Sequence, residues 1–156
     1  MKGFYTAEAG HVVNILPAID ITGGVTGDRF RMKNYAHATI ILSVGVSAAA
    51  FTKIIVNECN AATSGTATAI PFKLYAEETD AGDTLGPRED VAAAGRTPSA
   101  NNNIMYVIEI DASELSEGFE WIELSLTNGV NSVIASAVAI LSGARYACDQ
   151  SPTAIA

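Results

Sequence analysis

Side chains able to do chemistry are few in this chain, and they are scattered. Only His11 and His37 could serve as a general base near neutral pH, and neither lies near a Gly-x-Ser-x-Gly turn that would present a nucleophile. His37, at the entrance of an apolar segment, reads as half-buried and structural, and His11 as part of a flexible arm. Glu77, Glu78, Asp80 and Asp83 are the densest carboxylates and could collect a hard cation such as Ca²⁺, which takes oxygen ligands. Their spacing lacks the alternating Asp-x-Asp-x-Asp-Gly register of a dedicated loop, so they read as solvated acids, with no metal and no cofactor expected. Any two Asp or Glu could meet in space as a glycosidase pair, but the sequence singles none out. The glycines of Thr22–Asp28 (TGGVTGD) are followed by no Gly-Lys-Ser/Thr and open no helix, which makes them turn residues and not a phosphate cradle. No catalytic residue is assigned, and the expectation is that the chain is not an enzyme.

The candidate contact residues are Arg29, Arg31, Lys33, Phe119 and Trp121. The three cations repeat every second residue, which puts them along one face of a strand, either as a stripe for an acidic partner or as guards of an exposed edge. Phe119 and Trp121 have the opposite parity from Ile122, Leu124 and Leu126, so they either anchor an interface or fill the rim of a second core.

These side chains must be positioned by strands, because alternation dominates the sequence. Ile104, Tyr106, Ile108 and Ile110 alternate with Met105, Val107, Glu109 and Asp111, and residues 119–127 and 132–141 continue the pattern. Upstream, period two predicts strands over 12–16 (closed by Pro17), 29–33 with Phe30 and Met32 inward, 37–45, 51–59 and 68–75. The connector VSAAA predicts a hairpin between the third and fourth of these, and Pro71 an edge position. A last short piece covers 144–148. Residues 76–102 leave the pattern, and a connection of that length is usually functional or mobile. Within it, Pro87 to Ala94, with early acids and Gly95 behind, fits a short helix. The sum is one all-β domain over 1–156, an antiparallel two-sheet β-sandwich of jelly-roll type, with a closed barrel as the alternative. Residues 1–28 would be an extended arm with the first short strand, and 149–156 a tail.

Composition narrows the partners. The chain is 49% apolar and only 17% charged, a surface short of the charges that keep monomers apart. Its net charge is −8, and it is uneven: residues 1–60 carry five basic and four acidic side chains, the remainder four and thirteen. That argues against direct nucleic-acid binding. The N-terminal sequence MKGFYTAEAGH has no apolar run resembling a signal peptide, and the weakly polar run 38–51 is too short to span a bilayer, so no membrane partner is expected. The expectation is a soluble protein made in a cytoplasm. Cys59 and Cys148 permit one disulfide but are read as free thiols.

Several segments, MKNYAHATIILSVGVSA, SGTATAIPFKLY, MYVIEIDASELSEGFEWIELSLTNG and SVIASAVAILSGARY, occur in that order across residues 30–146. Together they resemble the capsid decoration, or cement, proteins of tailed bacteriophages. The resemblance implies a β-sandwich subunit on the outer surface of the virion, binding the major capsid protein at symmetry axes as a dimer or trimer and tying neighbouring capsomers together. Members differ in the first thirty residues and in the long loop, which are also where a capsid-binding arm would lie. The alternative function is a carbohydrate- or receptor-binding module on a virion or cell surface, which would need aromatic residues along a groove.

Overall fold

Strands with one apolar face must bury it, and here two sheets bury theirs against each other. A computed structural model describes residues 3, 5–47, 49–79 and 83–145. Their strands are β1 (His11–Asp20), β2 (Val25–Thr26), β3 (Phe30–Arg31), β4 (Tyr35–Ser47), β5 (Lys53–Cys59) and β6 (Ala67–Ile70). The series continues with β7 (Phe72–Glu77), β8 (Glu89–Val91), β9 (Ile104–Asp111), β10 (Trp121–Thr127) and β11 (Val133–Ala144). One sheet has the order β1-β11-β4-β9-β7-β8, and the other β2-β10-β5-β6 with β3 also paired to β10. All pairings are antiparallel. With β9 set aside, the orders β1-β11-β4-β7 and β3-β10-β5-β6 are those of a jelly roll, in which the chain switches sheets at successive connections. The strand β9 is an extra one, inserted between β4 and β7.

The core lies between the sheets. Ile40, Leu42 and Val44 of β4, Tyr106 and Ile108 of β9, and Phe72 and Leu74 of β7 face Ile54 and Val56 of β5 and Ile122, Leu124 and Leu126 of β10, all buried. On β11 the inward residues Ala135, Ala137 and Ala139 stand beside Val44, Leu42 and Ile40, so small side chains sit next to large ones in that layer. Phe30 and Met32 point inward as their parity requires.

Several expectations change. The connector after β4 makes no hairpin: β4 pairs with β11 and β9 while β5 pairs with β10 and β6, so the chain crosses the roughly 10 Å gap between sheets there. Residues 68–75 are two strands rather than one, with Pro71 marking the switch; Ile70, Phe72 and Leu74 stay buried on either side of it. Pro87 to Ala94 forms no helix. That segment has too few apolar residues at helical spacing to offset nucleation, whereas pairing Val91 with Phe72 buries it and gives residues 89–91 ladder bonds along β7. The first strand does not stop at Pro17 but runs on through two register shifts to Asp20; as the edge of its sheet, β1 can accept a residue without an N–H. Much of the expected arm is therefore sheet, preceded by one helical turn, α1 (Thr6–Ala9). His11 opens β1 and stacks on Tyr35, with ring centroids 5.9 Å apart, so it is not in a flexible arm. Where β1 ends, Asp20 accepts bonds from Ser132 Oγ (2.6 Å), Thr22 Oγ1 (2.7 Å) and Thr22 N (2.9 Å). Those bonds, that of Ser132 first, pull its carboxyl down to about 2. The tail and Cys148 lie outside the described residues.

Candidate partner-binding surfaces

The strand β3 is positioned by its pairing with β10, which sets Arg31 opposite Trp121 and Phe30 opposite Ile122. Just before it, Gly27 passes so close to β1 that a Cβ would lie 2.9 Å from the Ile15 carbonyl oxygen, and Gly27 N donates to Leu124 O (2.8 Å). This delivers Arg29 to the outer side of β10. Its Nε donates to Glu123 Oε2 at 2.6 Å and its Nη1 to Ala61 O at 2.9 Å. The side chains of Arg29 and Glu123 are only 12% and 10% exposed. The Glu123 hydrogen bond raises the Arg29 pKa against the opposing effect of burial. Arg31 donates from Nε (2.8 Å) and Nη2 (2.5 Å) to Glu120 Oε2 and lies 5.7 Å from the centre of the Trp121 ring. Lys33 Nζ is 3.9 Å from Glu120 Oε1. Each cation of the stripe thus has a carboxylate of its own chain, and Arg29 is the most buried of the three. Trp121 is 8% exposed and sits in register with buried Cys59, which places it at the rim of a small cluster on the outer side of the five-stranded sheet. Burial, and then the Glu123 charge, push the Cys59 thiol up to about 11, so it holds its proton and is unreactive.

The structure does bring two of the expected contact residues to one place. Lys33 and Phe119 line a groove of about 330 Å³ at one end of the sandwich, with Met32 and Leu115 also on its apolar wall and Arg145 exposed on its rim. Arg31 and Trp121 stand beside it through Glu120.

The acidic cluster is dispersed among different partners. Glu77, nearly buried, accepts from Thr79 Oγ1 (2.6 Å), Thr79 N (2.9 Å) and Thr84 N (3.2 Å), which lowers its pKa. Glu78 is bound by Arg96, by the Tyr106 hydroxyl (2.6 Å) and by Ser99 N (3.1 Å), with the Arg96 bond first in holding its carboxyl below the usual range. Arg96 lies over the Tyr106 ring at 5.3 Å and exchanges backbone bonds with Ile54 (2.9 and 3.0 Å). The described part of the long loop is therefore tied across both sheets. Asp83 accepts from Thr84 Oγ1 (3.1 Å), and Asp80 lies outside the described residues. Among the described residues, no three His, Cys, Asp or Glu side chains are placed to hold a metal ion.

His37 is tightly held. Its Nδ1 is 2.7 Å from Asp111 Oδ1 and its Nε2 2.5 Å from Glu109 Oε2. Both ring nitrogens can donate only in the imidazolium. Burial opposes that charge, but the bonds to Asp111 and Glu109 outweigh it and raise the pKa. Thr39 Oγ1 also donates to Glu109 (2.7 Å), and Lys73 bridges Glu114 (2.6 Å) and Asp111 (3.5 Å).

The surface that residue-by-residue reading missed is the outer face of the six-stranded sheet. The register aligns Asn14, Val138, Ile41, Val107 and Tyr75 in one row across five strands. The row on one side is Val12, Ile140, Thr39, Glu109 and Lys73; on the other, Ser136, Ser43, Met105 and Glu77. Val12 is 48% and Ile134 40% exposed. Its signal was in the sequence: β4, β9 and β11 carry apolar residues at both parities, which a strand open to water on one side does not need. The Arg96–Tyr106 tie was also missed, although a tyrosine at an inward position calls for a polar partner.

No family model matches the chain, and no curated protein does. A solved structure, that of the SPBc2 prophage-derived protein YomS, superposes with a TM-score of 0.48 at 16% sequence identity, over 84% of this chain and 92% of that one. A likeness of that size carries no argument about function. No helix among the described residues is long and apolar enough to cross a membrane.

Proposed function

We propose that the chain is a structural, non-catalytic subunit of a phage particle that binds the outer surface of an icosahedral head and cements neighbouring capsomers. The four segments resembling cement proteins correspond to β4, to β6 with β7, to β9 with β10, and to β11, which together form most of the frame. The observation that carries the reading is how the polar groups are used. Arg29, Arg96, His37, Glu77 and Glu78 all serve internal ties, while Lys33, Leu115, Phe119 and Arg145 line the end groove and Val12, Ile140, Ile41 and Val107 share a broad outer sheet face. Such a molecule is built to adhere. Binding only to the assembled shell, it stabilises the shell by mass action. The groove, with Phe119 and Leu115 between Lys33 and Arg145, is the surface we assign to the major capsid protein. A glycan-binding module would need exposed aromatic rings, and Trp121, the strongest candidate, is buried.

Co-sedimentation of the purified chain with heads lacking it tests the proposal. Binding with raised heat resistance of the heads is expected, and a double change Lys33→Glu with Arg145→Glu should weaken it at least tenfold. Heads that neither bind the chain nor gain resistance would overturn it.

A further inference from the structure

We infer that two copies of this chain pair back to back through the outer face of the six-stranded sheet. In an antiparallel sheet with one wet side, outward positions are normally polar. Here the central row holds Val138, Ile41, Val107 and Tyr75 side by side, with Val12, Ile140 and Met105 next to them. These residues contribute nothing to the core between the sheets, and in a lone molecule Val12 is exposed while the others are only partly covered.

Charge identifies the occupant as a second copy. A chain of net charge −8 repels its own kind over most of its surface, yet the central row carries no charged side chain. The charged residues bordering it are already engaged: Glu109 with His37 and Thr39, Lys73 with Glu114 and Asp111, and Glu77 with Thr79 and Thr84. Such a face meets its own copy across a two-fold axis with no like charges brought into contact at the centre. Size agrees. Five strands about 4.8 Å apart, over about eight residues at ~3.4 Å each, present roughly 650 Å² per copy, hence about 1,300 Å² for the pair, within the range of stable interfaces. Stacked sheets of this kind lie about 10 Å apart with interdigitating side chains.

The inference deepens the cementing role and rests on it only for its consequence, that a pair carries two shell-binding grooves and so gains avidity. Sedimentation equilibrium of the full chain at micromolar concentrations is the test. Wild type should have twice the chain mass, and Ile41→Lys should return it to one copy, raising the dissociation constant at least a hundredfold with an unchanged circular dichroism spectrum. Val138→Lys, on the neighbouring strand, should do the same and guards against a local fault at position 41, while Ile41→Val should leave the pair intact. A wild-type monomer, a mass of three copies, or a dimer untouched by both lysines would overturn the inference. A wild-type monomer that still sediments with heads would overturn the pairing and leave the cementing role standing. A lysine-sensitive dimer that ignores heads would support the pairing and remove the cementing role.

Discussion

The two outer faces of the sandwich invert what residue type alone would suggest. On the five-stranded sheet, Glu123 is 8% exposed, bonded to Arg29 and to Asn57 Nδ2 (3.0 Å), beside buried Trp121 and Cys59. On the six-stranded sheet, Val12 is 48% exposed and a row of Val, Ile and Tyr faces outward. One face buries a charge and seals it with intrachain partners; the other leaves hydrocarbon uncovered. A face closed by its own side chains is finished within the monomer, whereas an apolar face without a cover is completed by another chain.

The sharpest way to break that contrast is to unseal the closed side. Glu123→Ala leaves Arg29 in a poorly hydrated site without its carboxylate, and should cost about 3 kcal/mol, lowering Tm by roughly 6–12 °C. Urea unfolding measures it, and Arg29→Met combined with Glu123→Leu should recover most of the loss. On the open side, Val12→Thr should change stability by no more than about 0.5 kcal/mol. Equal costs for Glu123→Ala and Val12→Thr would end the distinction. A smaller effect is expected at Gly95, where the loop meets β5. Its φ is +80° and an added Cβ would lie 2.5 Å from the Ile54 carbonyl oxygen, so Gly95→Ala should cost about 2 kcal/mol and loosen the Arg96 tie, read as faster amide exchange at Ile54 and Arg96.

Much of this was legible in the sequence, for a simple reason. Period two is a local property, so β9, β10 and β11 and their inward residues could be read directly, and so could Phe30 and Met32. Which strand neighbours which is not local. Nothing in VSAAA distinguishes a hairpin from a crossing between sheets, because both leave Ile40 and Ile54 in the same core. Pro71 was read as an edge signal and turned out to mark a sheet switch, since a residue without an N–H fits either place. The carboxylates of the cationic stripe were hidden for the same reason: parity placed Arg29, Arg31 and Lys33 on one side, but Glu120 and Glu123 reach them through the pairing of β3 with β10. The groove joins Lys33 to Phe119 through that same pairing.

A smaller effect than that at Gly95 concerns pH, and it separates the rim of the open face from the closed one. His37 has its pKa raised in the folded chain by Asp111 and Glu109, so the imidazolium contributes stability that is fully present below its unfolded value of about 6.5 and is lost as pH rises through the folded value. Asp111 has its pKa lowered, first by the His37 bond, so its share is present above about 3.8 and is lost as pH falls through its folded value. The cluster therefore contributes most between about pH 4 and 6.5. At 31% exposure for His37 and 46% for Asp111, solvent screening holds the contribution to about 1 kcal/mol or less. Urea midpoints of wild type and His37→Asn should differ most near pH 5.5 and draw together as pH rises through the folded value of the imidazole. Arg29 keeps its charge throughout that interval, so the cost of Arg29→Met should show no matching fall as the imidazole deprotonates. A His37→Asn deficit that stayed constant from pH 5 to 9 would mean that His37 acts by packing and not as a cation.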